Sequence, residues 1–321
     1  MKDQYGRTID YMRISLTDKC NLRCRYCMPD EKTIDSIKKE ELLTFSERLE
    51  IIKTAATLGI THIRLTGGEP LLQKDCIPLI EEIQKIDEIK SVTLTTNGIL
   101  LKQYSSNLKK ANISSINVSL DTVDPGQYQK MTGKDCLKEV LEGIDVAKQE
   151  KIAIKINAVN QKGLDFLPLI AFAEEKEIPI RFIEMMPIGF GKEYIGQSNE
   201  DLRKKIESYY GVGKKMVNKQ GNGPAVYYEF PNLKIKIGFI SAIHGKFCDQ
   251  CNRVRLTANG YLKLCLSYDD GVDLREILRK NDKKKDLKTV MQKNIVRKPK
   301  QHCFEELSNI TEQHAMVQIG G

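Results

Sequence analysis

The chain has 321 residues, of which 40% are hydrophobic and 29% charged, with a formal net charge of +8; it has length enough for one large domain or two modest ones and the composition of an ordinary soluble globular protein. The opening MKDQYGRTID holds no apolar signal core, and nowhere do 18 apolar residues run together, so neither a secretory leader nor a membrane span is expected and the expected compartment is the cytoplasm. Nine cysteines, an odd number in a lysine-rich chain, argue against a disulfide scaffold and for metal or redox chemistry. The weakly basic balance suits a small polyanion; with no aromatic stacking pattern and no RNA-binding signature, nucleic acid is not expected as a partner.

In chain order, the first strand-like run is YMRISLT (11–17), and the loop after it carries Cys20, Cys24 and Cys27 in C-x3-C-x2-C spacing. Thr44 and Glu47 make a capping-box pattern ahead of Leu49, Ile52 and Ala56 at helical spacing, with Gly59 as the stop. THIRLT (61–66) is the second strand, followed by GGEP (67–70). Asp75 is expected to cap a helix bearing Leu79, Ile80 and Ile83, with Pro78 tolerated in its first turn. SVTLTTN (91–97) and SINVSLD (115–121) are further strands, and Asp135 is expected to open a helix with Val140, Leu141, Ile144 and Ala147 on one side. IAIKINAV (152–159) and IPIRFIE (178–184) close the series. Strand–helix alternation of this kind predicts a parallel sheet covered by helices. After residue 190 the chain becomes turn-rich; NLKIKIGFIS (232–241) and GYLKLCLS (260–267) read as antiparallel strands, and RKNDKKKDLK (279–288) as a solvated helix face or loop.

The strands alternate with period two. Met12, Ile14 and Leu16 share one face, and Tyr11, Arg13 and Ser15 the other; Ile116, Val118 and Leu120 lie opposite Asn117, Ser119 and Asp121; Ile154 and Ile156 lie opposite Lys155 and Asn157; Ile180 and Phe182 lie opposite Arg181. Buried parallel strands read as near-continuous apolar runs, and a filled barrel interior does not accept unpartnered Arg, Lys and Asn. The expectation is an incomplete (β/α)6 TIM-like barrel whose polar inner wall binds something charged, with its chemistry at the carboxyl ends of the strands. The partial barrel is placed at residues 1–190 and a smaller α+β extension at 191–321.

Zinc at a structural site takes four Cys or His ligands; Cys20, Cys24 and Cys27 supply three, and no histidine lies near them in sequence. An iron–sulfur cubane normally takes four thiolates, so three leave one iron open to a small molecule. A second set, Cys248, Cys251 and Cys265, has C-x2-C-x13-C spacing. On these residues alone it is either a zinc ribbon completed by Cys303 or His302, or another cluster site. Cys76 and Cys136 are expected to pack beside helices as small apolar residues.

CNLRCRYCMP at the end of a first strand, with an aromatic before the third cysteine, resembles the signature of the radical S-adenosylmethionine (SAM) superfamily. With RLTGGEPLL, LTTNG, INVSLD, RFIEMMPIG, the second cysteine set and the terminal IGG, the chain resembles the GTP 3′,8-cyclase family of molybdenum cofactor biosynthesis from about residue 5 to its end, with residues 270–310 matching only loosely. The resemblance implies two 4Fe–4S clusters, one on each cysteine triad, with SAM on the open iron of the first. It implies Tyr26, Gly68, Ser119 and Met186 at the SAM site, and Arg13, Arg64, Thr95, Lys155, Arg253 and Arg255 facing GTP. Gly68 suits such a site because a missing Cβ admits close backbone approach. Arg253 and Arg255 point the same way on a strand and would clamp a triphosphate.

The reaction so implied takes a hydrogen from the 3′ carbon of GTP with a 5′-deoxyadenosyl radical, after which the 3′ carbon joins C8 of the guanine. An electron donor such as flavodoxin or ferredoxin, a downstream cyclic pyranopterin monophosphate synthase and a homodimeric assembly belong to the same expectation. A terminal Gly-Gly is most often a flexible tail; here an apolar MV and I precede it, and the resemblance implies that Gly320 and Gly321 enter the site and act in catalysis. The rival readings are a radical SAM enzyme that modifies a peptide, and a non-catalytic iron–sulfur or zinc protein.

Overall fold

Residues 1–29, 34–194, 196–217, 221–280 and 286–320 are described by the computed structural model. Six strands follow the predicted runs: β1 (Tyr11–Ser15), β2 (His62–Thr66), β3 (Ser91–Thr96), β4 (Ser115–Ser119), β5 (Ile154–Asn160) and β6 (Ile180–Glu184). Each pairs in parallel with its neighbour in sequence. The intervening helices are α1 (Phe45–Thr57), α2 (Cys76–Ile83), α3 (Leu101–Lys110), α4 (Pro125–Thr132), α5 (Leu137–Gln149) and α6 (Leu167–Glu175). The apolar strand face meets these helices: Met12, Ile14, Ile63, Leu94, Ile116 and Ile156 are fully buried in one core with Ile52, Leu79, Ile80 and Ile144. The polar face is left to line the inside.

The capping box of α1 forms as expected: the Glu47 N–H donates to Thr44 Oγ1 at 3.2 Å and the Thr44 N–H to Glu47 Oε2 at 2.7 Å. Two expected caps do not form. Asp75 makes no side-chain cap on α2; its carboxylate is taken by the buried Arg48 guanidinium at 2.7 Å, a stronger partner than a backbone amide. Helix α5 begins one residue later than Asp135 would set, with Cys136 at its N-cap and no side-chain bond there.

The sheet does not stop at residue 190. After α7 (Asn199–Tyr210), β7 (Lys214–Lys215), β8 (Val226–Glu229) and β9 (Ile237–Ile240) add to the β6 edge, and β10 (Arg253–Leu256), β11 (Tyr261–Lys263) and β12 (Gly271–Asp273) add to the β1 edge. The order of this 12-stranded sheet is β12-β11-β10-β1-β2-β3-β4-β5-β6-β9-β8-β7, an open barrel extended on both sides. The expected antiparallel pairing holds for β11 with β10 and for β9 with β8, but β9 joins β6 in parallel, as β10 joins β1. The chain closes with α8 (Leu274–Lys280), α9 (Leu287–Val296) and the short α10 (Met316–Ile319). No helix among the described residues is long and apolar enough to cross a membrane.

Arg7 ties the two ends of the chain together. Its Nε lies 2.6 Å from Asp3, and its other nitrogens donate to the carbonyls of Cys248, Pro299 and Lys300 at 2.6–2.9 Å. Both side chains of this pair are buried, so removing one strands the other. Arg7→Met should cost about 3 kcal/mol, read as a lower urea midpoint for the metal-free protein, and Asp3→Asn/Arg7→Met should recover part of it. A double variant no more stable than Arg7→Met would disprove this account.

Candidate active site

The loop after β1 turns tightly around the first triad. The Cys27 and Met28 N–H groups both donate to the Cys24 carbonyl, at 2.9 and 2.8 Å. The Leu22 N–H donates to Cys20 Sγ at 3.4 Å and Asn97 Nδ2 to the same sulfur at 3.8 Å. All three thiols are free. Burial raises the pKa of each; neighbouring thiols add to the effect, so Cys24 lies well above its ordinary value and Cys27 near 12. These thiols stay protonated until a cation takes the proton's place.

GGEP, after β2, closes against this loop. A Cβ on Gly68 would stand 2.3 Å from the Lys19 carbonyl oxygen and 2.5 Å from its carbon, while the Glu69 N–H donates to that carbonyl at 2.8 Å. The fully buried Glu69 carboxylate accepts from the Leu71 N–H, the Thr96 hydroxyl and the Asn97 N–H at 2.8–3.0 Å. Burial nonetheless pushes its carboxyl up to about 7. Tyr26 donates to Asp121 Oδ2 at 3.0 Å, and burial lifts the Asp121 carboxyl to about 6. Ser119 is exposed at the end of β4. Met186 packs with Ile188, Leu266, Cys303 and Met316 in a small separate cluster.

Along the inner wall the register lines up cations. Arg255 stands opposite Arg13, Arg13 opposite Arg64, and Arg64 opposite Thr93, on four adjacent strands. One step on, Thr95, Asn117 and Lys155 form a second row, and Asn157 stands opposite Arg181. Adjacent strands lie about 4.8 Å apart, and like charges directly opposite are destabilising. The consequence is visible in the acidities. Burial, then Arg255 and Arg64, hold Arg13 well below its ordinary value; burial and Arg253 bring Arg255 to about 10; burial, Arg181 and Arg64 bring Lys155 to about 8. Thr95 Oγ1 is buried with no hydrogen-bond partner. An unpaired hydroxyl beside mutually repelling cations fits an anionic, oxygen-rich ligand.

The second triad meets the same wall. Burial would raise Cys251, but Lys298 and Arg253 outweigh it and draw the thiol down to about 6. Arg253 Nη2 reaches Cys251 Sγ at 3.9 Å, and Arg255 lies close enough to Cys265 and Cys251 to be stabilised by both. Cys303 donates to the Asn309 carbonyl, and the His302 ring stacks on Phe304 at 4.4 Å. Among the described residues, one set of three Cys, His, Asp or Glu donors lies within 4.8 Å of one another, and it contains no cysteine. Thiolates on one zinc ion lie about 3.8 Å apart, so neither triad is drawn in to single-ion spacing.

The tail enters between these parts. The Val317 backbone comes close enough to the Cys27 thiol to oppose part of its upward shift, and the Gly320 carbonyl accepts from Arg255 Nη1 at 2.6 Å. Gly320 has φ 78°, and a Cβ there would press on Ser15 Cβ at 3.1 Å and Thr66 Cγ2 at 3.2 Å. Gly321 lies outside the described residues. Three residues of this site were given no role by the sequence reading. Glu69 was visible as a carboxylate between two glycines and a proline, while Asp121 and Arg181 had been placed on the polar strand face without a function.

Residues 14–174 match the family model of the radical SAM superfamily, and 178–304 that of Molybdenum Cofactor Synthesis C. A GTP 3′,8-cyclase of Clostridium perfringens (strain 13 / Type A) is 40% identical over 324 positions, covering 100% of both chains. Another, from Thermodesulfovibrio yellowstonii, is 40% identical over 306 positions, covering 93% of this chain and 94% of that protein. Among solved structures, Streptococcus suis SuiB bound to S-adenosylmethionine superposes with a TM-score of 0.66 at 15% identity, covering 97% of this chain and 78% of that one. At that identity the likeness concerns the fold.

The Gly68 contact is testable in the metal-free protein. Gly68→Ala should cost about 1–3 kcal/mol by overpacking and speed thiol modification at Cys20 and Cys24. Gly126→Ala, whose new Cβ would meet nothing nearer than 3.5 Å, should do neither. Equal labelling rates in the two variants would show that the two loops do not depend on this contact.

Proposed function

The chain belongs to the GTP 3′,8-cyclase family of radical SAM enzymes, and on that premise we propose how its residues divide the work. The enzyme converts GTP to (8S)-3′,8-cyclo-7,8-dihydroguanosine 5′-triphosphate, the first step of molybdenum cofactor biosynthesis. The observation that carries the division of labour is the row Arg255–Arg13–Arg64 on the wall between two cysteine triads.

Cys20, Cys24 and Cys27 supply three thiolates. When bound there, a 4Fe–4S cluster with one open iron and SAM together supply the electron and the carbon-centred hydrogen abstractor that the reaction needs. Gly68 brings the 67–70 backbone against the cysteine loop, Tyr26 is oriented by Asp121, and Ser119 and Met186 complete the proposed SAM contacts. Glu69 fixes the start of the β3–α3 turn and offers a carboxylate near neutrality beside the triad. Arg13, Arg64, Arg253 and Arg255 bind the triphosphate as fixed cations, with Thr95 and Lys155 on the neighbouring row; Arg181, held by Asn157 at 2.9 Å and by Asn117, extends that positive wall. Ligand oxygens relieve the repulsion among these groups, so their charge is stored for binding.

Cys248, Cys251 and Cys265 are proposed to hold a second 4Fe–4S cluster; the lowered Cys251 thiol beside Lys298 and Arg253 supports it. Gly320 and Gly321 are proposed to act at the GTP end of the site, supported by the Val317 and Arg255 contacts. A small electron donor of the flavodoxin or ferredoxin kind, consumption of the product by a cyclic pyranopterin monophosphate synthase, a homodimeric assembly and a cytoplasmic setting complete the proposal. Peptide modification is the weaker reading: the chain is 40% identical to GTP cyclases over its whole length and only 15% identical to SuiB.

Two outcomes follow. The anaerobically reconstituted protein should hold about eight irons; Cys24→Ala should lose 5′-deoxyadenosine formation with about four irons left, and Cys251→Ser should also keep about four but lose GTP binding. Stoichiometric zinc in a protein that turns over GTP would remove the second cluster. Arg253→Ala should weaken GTP by roughly 1.5–3 kcal/mol and guanosine little, by equilibrium dialysis; equal losses for both ligands would take away its phosphate role.

A further inference from the structure

Asp269, Glu312 and His314 bring their donor atoms within 4.8 Å of one another, outside the site described so far. The residue types suit a divalent cation, but the place of the ion is taken: the ammonium of Lys263, on β11, sits on the Glu312 carboxylate, and both side chains are buried, at 2% and 0% exposure. Asp269 is 3.9 Å from the same ammonium. The other Glu312 oxygen accepts from the His314 backbone N–H at 2.7 Å and lies 2.8 Å from His314 Nδ1. Burial would raise this carboxyl; His314 and Lys263 outweigh it and push it down to about 2, so Glu312 is a carboxylate ion-paired with Lys263 and hydrogen-bonded by His314.

The position of this carboxylate explains its use. Glu312 stands eight residues before Gly320, and its own N–H donates to the Ser267 carbonyl at 3.3 Å. Thr311 Oγ1 accepts from the Asp269 N–H at 2.9 Å. One carboxylate thus binds a fixed lysine on the sheet and folds the chain back on itself at 312–314. Beyond that turn there is no slack. Ala315 crosses Gly189 so closely that a Cβ on Gly189 would be 2.8 Å from the Ala315 Cα. Gln318 Nε2 then reaches the Asp35 carbonyl at 3.3 Å, and Gly320 arrives at Arg255.

We propose that Lys263, Glu312 and His314 are positioning residues that set where the tail turns into the barrel, and so seat Gly320 beside Arg255. The inference rests on the reading that the tail serves GTP cyclisation. A misplaced turn would cost the tail tip its seat, while the three cysteines of the first triad stay on their own loop after β1.

The test uses the anaerobically reconstituted full chain, Glu312→Gln, His314→Gln and a chain lacking Gly320 and Gly321. Amide hydrogen exchange is read over 315–320, with iron content and the formation of both 5′-deoxyadenosine and cyclised GTP. Glu312→Gln should speed exchange in the tail roughly tenfold or more, as loss of hydrogen bonds to a charged group implies. It should lower cyclised product per 5′-deoxyadenosine by a similar factor, with exchange in β1–β6, iron content and the KM for GTP unchanged. His314→Gln, whose ring is more than half exposed and whose loss does not threaten folding, should move both readouts in the same direction. Tail exchange at the parent value in both variants overturns the proposal, as does lost cyclisation with an unmoved tail. Full turnover by the truncated chain refutes the tail's catalytic role, whereas exchange in the two point variants still decides the latch.

Discussion

Arg255, Arg13 and Arg64 stand side by side on three neighbouring strands, and the rest of the molecule is arranged around that crowding of like charge. In a closed, filled barrel such a row of cations would be costly to bury. The sheet stays open, so the row faces a cleft, and acceptors gather at its Arg255 end: the Gly320 carbonyl and the thiols of Cys251 and Cys265. Helices take the apolar face of every central strand, leaving the polar face free for ligand oxygens. Burial, and after it the neighbouring cations, lowers the pKa values of Arg13, Lys155 and Arg181. That crowding is what a triphosphate would relieve.

The two cysteine triads sit in opposite electrostatic settings. The first is closed in by loop backbone and by the carboxyls of Glu69 and Asp121, and its thiols hold their protons. The second lies against Lys298 and Arg253, which draw Cys251 down to about 6. Metal loading therefore displaces more protons at the first triad than at the second, and depends more steeply on pH there. The Leu22 N–H and the Asn97 amide already point at Cys20; donors of this kind tune the potential of a bound cluster.

Both ends of the chain converge on this arrangement. Arg7 ties Cys248 of the second triad to residues 298–300, and the last residues run past Cys27 to the arginine row. A continuous sheet is what makes this possible, because β10 pairs directly with β1 and carries Arg253 and Arg255 to the wall started by Arg13. The polar contents of the site are thus held by strands at fixed register, a more exact frame than loops provide.

Much of this was legible in the residues. Period-two alternation fixed which face of each strand is polar, since a strand leaves its side chains no third direction, and it placed Arg13, Arg64, Thr95, Lys155 and Arg181 on one wall before any contact was known. The spacing of Cys20, Cys24 and Cys27 gave three thiols and a vacancy by local geometry alone. What the sequence could not contain was the pairing between distant segments. That β9 and β10 would flank the barrel in parallel, that Arg48 would take Asp75 from its helix, and that Lys263 would meet Glu312 are all decided by which buried groups find partners once the chain has closed. Local pattern is set by bonds a few residues long, whereas Arg255 meets Arg13 across 242 positions and Glu312 meets Lys263 across 49, pairings that only the folded sheet supplies.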